Sequence, residues 1–169
     1  MTQELIELRQ YIEEGRYQDA LGIIDELEEM SKKAILEKIQ SFLVRLLIHL
    51  IKNQVEQRLT NSWAVSIRDS IVKIQSLNLK DNKKSYYIKE QEWQDFLEEA
   101  LDDAIFAASI EVFEGKYNPF QLRENINEEE VKNITYDLLE MTYTYSKKTI
   151  RGEINHQLSK LPGGDKWKQ

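Results

Sequence analysis

The 169-residue chain has no cysteine, which at once excludes disulfides, thiolate metal sites and a cysteine nucleophile. Six glycines and two prolines are too few for the turns of a many-stranded β-protein. Histidine occurs only at His49 and His156. Long apolar runs are missing as well. The most apolar stretch, Phe42 to Ile51, is interrupted by Arg45 and His49, whereas a membrane span takes about 20 residues. The N-terminal Met-Thr-Gln-Glu-Leu lacks the basic-then-apolar order of a signal peptide. A cytoplasmic protein that does not enter membranes is expected.

What is present favours helix. Hydrophobic residues make up 41% and charged residues 31%, more apolar content than disordered chains carry. A chain of this length buries roughly 70% of its unfolded surface, enough for one core. The expected fold class is all-α. It is a single compact bundle of about five to six helices over residues 1–161, judged from apolar spacing. Residues 1–30 form an N-terminal helical hairpin packed on the main bundle, and residues 162–169 are expected to fray.

Leu5, Leu8 and Ile12 recur at helical spacing, and Gly15 suits the left-handed residue that ends a helix. Ala20, Ile23, Ile24 and Leu27 mark a second helix to Met30. The stretch Gly15-x-Tyr17-x-x-Ala20 resembles the middle of a tetratricopeptide hairpin. Solenoids need at least about three such units, so an ordinary hairpin is expected. A third helix, Ser31 to Leu59, carries Ile35, Ile39, Leu43, Leu46, Leu47 and Leu50 on one broad face. A helix apolar around most of its girth belongs inside a domain. Thr60-Asn61-Ser62 caps a fourth helix through Trp63, Ile67, Ile71 and Ile74. A fifth helix is expected over Lys89 to Glu114. Asn127 with Glu130 opens a sixth, followed by a weaker helical piece to Leu161.

Charge is segregated within the net −7. Residues 1–30 hold 2 basic and 9 acidic groups, and residues 31–84 hold 11 and 4. Residues 85–145 hold 4 and 15, and residues 146–169 hold 6 and 2. The basic segment could place Arg45, Lys52, Arg58, Arg68 and Lys73 on phosphates, with Trp63 stacking on a base. Trp63, however, stands in register with Ile67, Ile71 and Ile74, as a core residue does.

Chemistry-bearing sets are incomplete. Glu153 and His156 form one Glu-x-x-His pair, whereas di-iron bundles need two pairs and two further glutamates. Glu98, Glu99, Asp102 and Asp103 are i,i+4 pairs on one helix surface, while hard-cation sites gather ligands from loops. No metal site follows. There is no phosphate loop and no dinucleotide fingerprint, so no cofactor is expected. The third helix carries the polar stripe Arg45, His49, Lys52 and Glu56, with Arg58 and Arg68 nearby. Arg45, His49, Lys52, Arg58 and Arg68 are the candidate binding residues, and His49 is the candidate acid–base group. The stripe could equally be internal glue, with its cations meeting Asp102 or Asp103.

Leu46-Leu47-x-His49-Leu50-x-Lys52, followed by Arg58-x-x-x-Ser62-Trp63-x-x-x-Ile67-Arg68, forms a pattern with a known counterpart. It resembles the bacterial, largely cyanobacterial, family catalogued as domain of unknown function 29. The likeness runs from roughly Leu27 to Met141 and takes in Glu98-Glu99-Ala100-x-Asp102-Asp103-Ala104 and the Pro119 loop. It implies an all-helical fold and brings no activity or cofactor. Asn53-Gln54-Val55-Glu56-Gln57 stands where many relatives are more basic and aromatic, and the N-terminal hairpin departs from the shorter start expected.

The reading that follows is a non-enzymatic protein-interaction or adaptor module, its partner another protein or a second copy of itself. Two alternatives stay open. One is a nucleic-acid-associated regulator using residues 31–84. The other is an enzyme acting on an anionic substrate, with His49 as acid or base.

Overall fold

A computed structural model describes residues 2–169. Among them the chain is all-α, with eight α-helices and no strand beyond an isolated bridge between Leu79 and Tyr86. The described chain falls into two compact units, divided between Glu37 and Lys38.

In the first unit, α1 (Gln3–Glu13) ends at Gly15, φ +74°. Arg16 N–H donates to Tyr11 O at 2.7 Å, and Gly15 N–H donates to Ile12 O at 3.1 Å. These two bonds are the Schellman closure, which a glycine makes without a Cβ clash. The following helix, α2, is Tyr17–Glu56. The break expected between Met30 and Ser31 does not occur. Serine weakens a helix only slightly, and neither proline nor glycine lies between Gly22 and Glu56 to stop it. Among the described residues of this unit only Ala20 and Ile23 are buried.

The second unit contains the core. Ile39, Leu43, Leu46, Leu47 and Ile51 are fully buried along α2. Trp63, Ile67, Ile71 and Ile74 join them from α3 (Asn61–Asn78), opened by Thr60, whose Oγ1 accepts from Trp63 N–H at 3.1 Å. The expected fifth helix is shorter. A 3₁₀ turn, Glu90–Glu92, leads into α4 (Trp93–Ser109), which buries Trp93, Leu97, Leu101, Ala104, Ile105 and Ala108. A second 3₁₀ turn, Val112–Gly115, and α5 (Pro119–Glu124) follow. Asn118 and Gln121 cap α5 reciprocally, so Pro119 starts a helix and does not merely end one. Next come α6 (Glu128–Thr144), capped by Asn127 as expected, and α7 (Lys147–Ser159).

Residues 162–169, expected to fray, contain α8 (Gly164–Lys168). Trp167 Nε1 donates to Asn61 Oδ1 at 3.0 Å. A Cβ on Gly163 would stand 2.9 Å from Leu59 N, and one on Gly164 only 2.2 Å from Leu158 O. The two glycines therefore permit a backbone approach that side chains would block. Asn53 ties the same region together, its Nδ2 donating to Arg58 O and Pro162 O.

No helix among the described residues is long and apolar enough to cross a membrane.

Candidate interaction surface

The polar stripe of α2 splits into two environments. Arg45 donates to Ser70 Oγ at 2.8 Å, pairs with Asp69, and lies over the Phe42 ring at 4.9 Å. Its partner is thus on α3, where the sequence pointed to Asp102 or Asp103. His49 is half-buried, and its Nδ1 has no hydrogen-bond partner. Burial pushes its pKa down to about 4, helped by the Lys52 and Arg45 charges and opposed by Glu111. The imidazole is therefore neutral at neutral pH. Arg68 is also half-buried, with Nε lacking a partner.

Lys52, Glu56 and Arg58 gather elsewhere, around Trp63. Lys52 is only 7% exposed. Its Nζ lies 3.2 Å from Glu111 Oε1 and 5.1 Å from the Trp63 ring centroid. The Arg58 guanidinium lies 4.7 Å from the same centroid and donates to Glu56 Oε1 at 3.0 Å. Trp63 is itself buried. With Ile110, Glu111, Phe113 and Glu114 these residues line an open cleft of about 670 Å³. Glu56 Oε2 also accepts from Phe113 N–H at 3.4 Å. His49 does not line this cleft.

The backbone around the cleft is strained. Gln57, Phe113 and Glu114 adopt φ of 54°, 46° and 58°. Left-handed backbone at non-glycine residues costs about 1–3 kcal/mol each and persists only where the surroundings enforce it. Two such residues in succession turn the chain sharply after α4 and leave Phe113 on the outside. Gly115, φ +83°, completes the reversal.

That turn builds an apolar surface. Ile110 is 76% exposed and Phe120 70%, with Phe106 and Phe113 exposed beside them. Phe106 and Phe120 meet edge to face at 6.1 Å, and Phe113 meets Tyr117 at 6.3 Å. Residues 93–130, which carry this surface, hold eleven acidic groups against two basic ones, and Lys52 and Arg58 line the cleft with Ile110 and Phe113. Asp102 is bound by Arg123, which also pairs with Glu128. Among the described residues no His, Cys, Asp or Glu group is arranged to hold a metal ion.

Of the candidate binding residues, Lys52 and Arg58 come together at the cleft, while Arg45, His49 and Arg68 do not line it. The sequence reading missed Phe106, Ile110, Phe113 and Phe120. Its available signal was the i,i+4 spacing of Phe106 and Ile110, off the stripe carrying Ala104, Ile105 and Ala108.

Residues 5–129 match the sequence profile of the family described as Domain of unknown function DUF29. No curated protein and no solved structure matches the chain. The matched region begins at Leu5, inside α1, so the hairpin is part of the family region and not a departure from it.

Proposed function

Because the chain belongs to the DUF29 family, described only as a domain of unknown function, we propose a role read from its surface: a non-enzymatic protein-interaction module. The observation that carries this reading is the exposed set Phe106, Ile110, Phe113 and Phe120. Scattered surface apolar residues are ordinary, but a contiguous set rimmed by charge marks a contact site. Aromatic side chains held by rigid backbone also lose little entropy on binding. The strained turn at Phe113 and Glu114 is such a support.

The acidic excess of residues 93–130 bears on the occupant. A partner's amphipathic helix with an apolar stripe and basic flanks satisfies both features of the face. Residence in the cytoplasm and pairing of two copies belong to the same proposal. The nucleic-acid alternative draws less support, since Trp63 is buried under Lys52 and Arg58, and Arg45 is engaged by Asp69. An acid–base role for His49 draws less as well, because the imidazole does not face the cleft.

Titration calorimetry with a synthetic helical peptide of leucine and lysine tests the proposal. Binding is expected for the wild-type chain, weakened by salt and reduced at least about tenfold by Ile110→Asp with Phe120→Asp. Equal binding by that variant, or equal binding of a leucine–glutamate peptide, would overturn it.

A further inference from the structure

A separate cavity of about 440 Å³ lies between the end of α3, the loop after it and the start of α7. Lys80, Lys83 and Lys147 line it, with Asp81 as the one carboxylate among the described lining residues. None of the three lysines forms an ion pair among the described residues. Lys80 Nζ lies 5.4 Å from the Tyr87 ring centroid. The loop is closed on itself. Lys80 N–H donates to Ser85 O at 2.9 Å and Lys83 N–H to Lys80 O at 2.8 Å. Asn82 Oδ1 accepts from Lys84 N–H at 2.9 Å and from Ser85 N–H at 3.2 Å. Positive charge is thus fixed at the cavity, where an anion gains most from it.

Helix α7 opens on the same cavity through Ser146 and Lys147. Its first turn has no acidic residue and carries Lys147 and Lys148. Cations are unfavourable at a helix N-terminus, whose free N–H groups already present positive charge, and an anion there satisfies both. The opposite requirement comes from Gln75, which lines the cavity and is only 9% exposed. Its Nε2 donates to Thr142 O at 3.2 Å and Tyr145 O at 2.8 Å, which fixes the amide. Its Oε1 is buried and has no partner. A buried acceptor left open is a standing cost, removed by a donor held against that wall. Tyr86 and Tyr145 also line the cavity, and Tyr145 is 37% exposed. Such rings accept a flat heterocycle by stacking.

We propose that this cavity binds a nucleoside monophosphate. The phosphate sits at the start of α7 with Lys83 and Lys147, the base lies against Tyr145, and an amino group of the base donates to Gln75 Oε1. Anion, flat ring and hydrogen-bond donor are three separate demands of the wall, and this ligand class carries all three. A volume of about 440 Å³ suits one small molecule. The site shares no residue with the aromatic face, so its failure would leave the proposed function untouched.

Titration calorimetry of the full chain with adenosine monophosphate tests it. Binding is expected with a dissociation constant on the order of 10–100 µM at low salt, weakening as salt rises. Adenosine and inorganic phosphate each bind at least about tenfold more weakly, because each meets only part of the wall. Lys83→Glu with Lys147→Glu weakens the nucleotide at least about tenfold. Both side chains are exposed, and circular dichroism confirms that the variant stays helical. Purine riboside monophosphate, which lacks the amino donor, binds at least about threefold more weakly than adenosine monophosphate. No binding of adenosine monophosphate up to about 1 mM, an affinity unmoved by the lysine variant, or inorganic phosphate held as tightly as the nucleotide would overturn the proposal. So would a short single-stranded RNA that displaces adenosine monophosphate at lower concentration, since the surface would then serve nucleic acid.

Discussion

Lys52 Nζ reaches Glu111 Oε1 at 3.2 Å, and the two ends of this pair live in different media. Lys52 is buried against Trp63, whereas Glu111 is half in water. Removing one end is therefore not equivalent to removing the other. Glu111→Gln leaves a buried ammonium without its counter-charge and is expected to cost about 1–3 kcal/mol. Lys52→Met leaves a carboxylate that water can solvate, and replaces the stem with one of similar shape. Its expected cost is below about 1 kcal/mol. Urea unfolding of both variants checks the asymmetry, and equal losses would refute it.

His49 makes stability depend on pH in a definite direction. Its folded pKa of about 4 lies below the ordinary 6.5, so the unfolded chain takes up the proton first as pH falls. The neutral-state contribution is fully present above pH 6.5 and is lost progressively between 6.5 and about 4. The size is at most about 3 kcal/mol. His49→Gln removes this slope, so the wild-type and variant stability curves should converge toward the acid end of that window. Parallel curves would contradict the assignment.

Gly164 and Gly22 are opposite cases of one residue type. A Cβ at Gly164 meets Leu158 O at 2.2 Å, while at Gly22, within α2, nothing lies within 4 Å. Gly164→Ala is expected to destabilise by more than about 2 kcal/mol. Gly22→Ala should stabilise by about 0.5–1 kcal/mol through helix propensity. Thermal melts of the two variants should move in opposite directions.

Tyr143 joins three segments through one hydroxyl. It donates to Ile88 O at 2.6 Å and accepts from Trp93 Nε1 at 2.7 Å and Asn78 Nδ2 at 3.1 Å. Burial pushes its pKa up to about 12. Tyr143→Phe leaves the Trp93 Nε1 donor without its partner, while Asn78 Nδ2 and the Ile88 carbonyl keep their own bond at 2.8 Å, at an expected cost of about 1–3 kcal/mol. Unchanged urea unfolding, together with an unshifted Trp93 emission, would show that the hub is dispensable.

Most of the helical frame was legible from side-chain order. Leu43, Leu46 and Leu47, like Ile67, Ile71 and Ile74, announce their buried faces because a helix returns to the same side every three to four residues. Gly15, Thr60 and Asn127 announced helix ends because capping is a local hydrogen-bond problem. Serine at Ser31 looked like a boundary and was none, since its cost to a helix is small beside burial along α2. The strained turn was hidden for a related reason. Phe113 and Glu114 have no intrinsic preference for left-handed φ, so only packing around them holds it.

The candidate site followed the same division. The sequence by itself determined that α2 carries Arg45, His49, Lys52 and Glu56 on one stripe, because helix geometry alone sets that. Only the tertiary structure decided that Arg45 would be held by Asp69, Lys52 by Glu111, and Phe106 set against Phe120. Those partners come from distant parts of the chain, and their meeting depends on how helices cross, a distance of side-chain packing that no local spacing encodes.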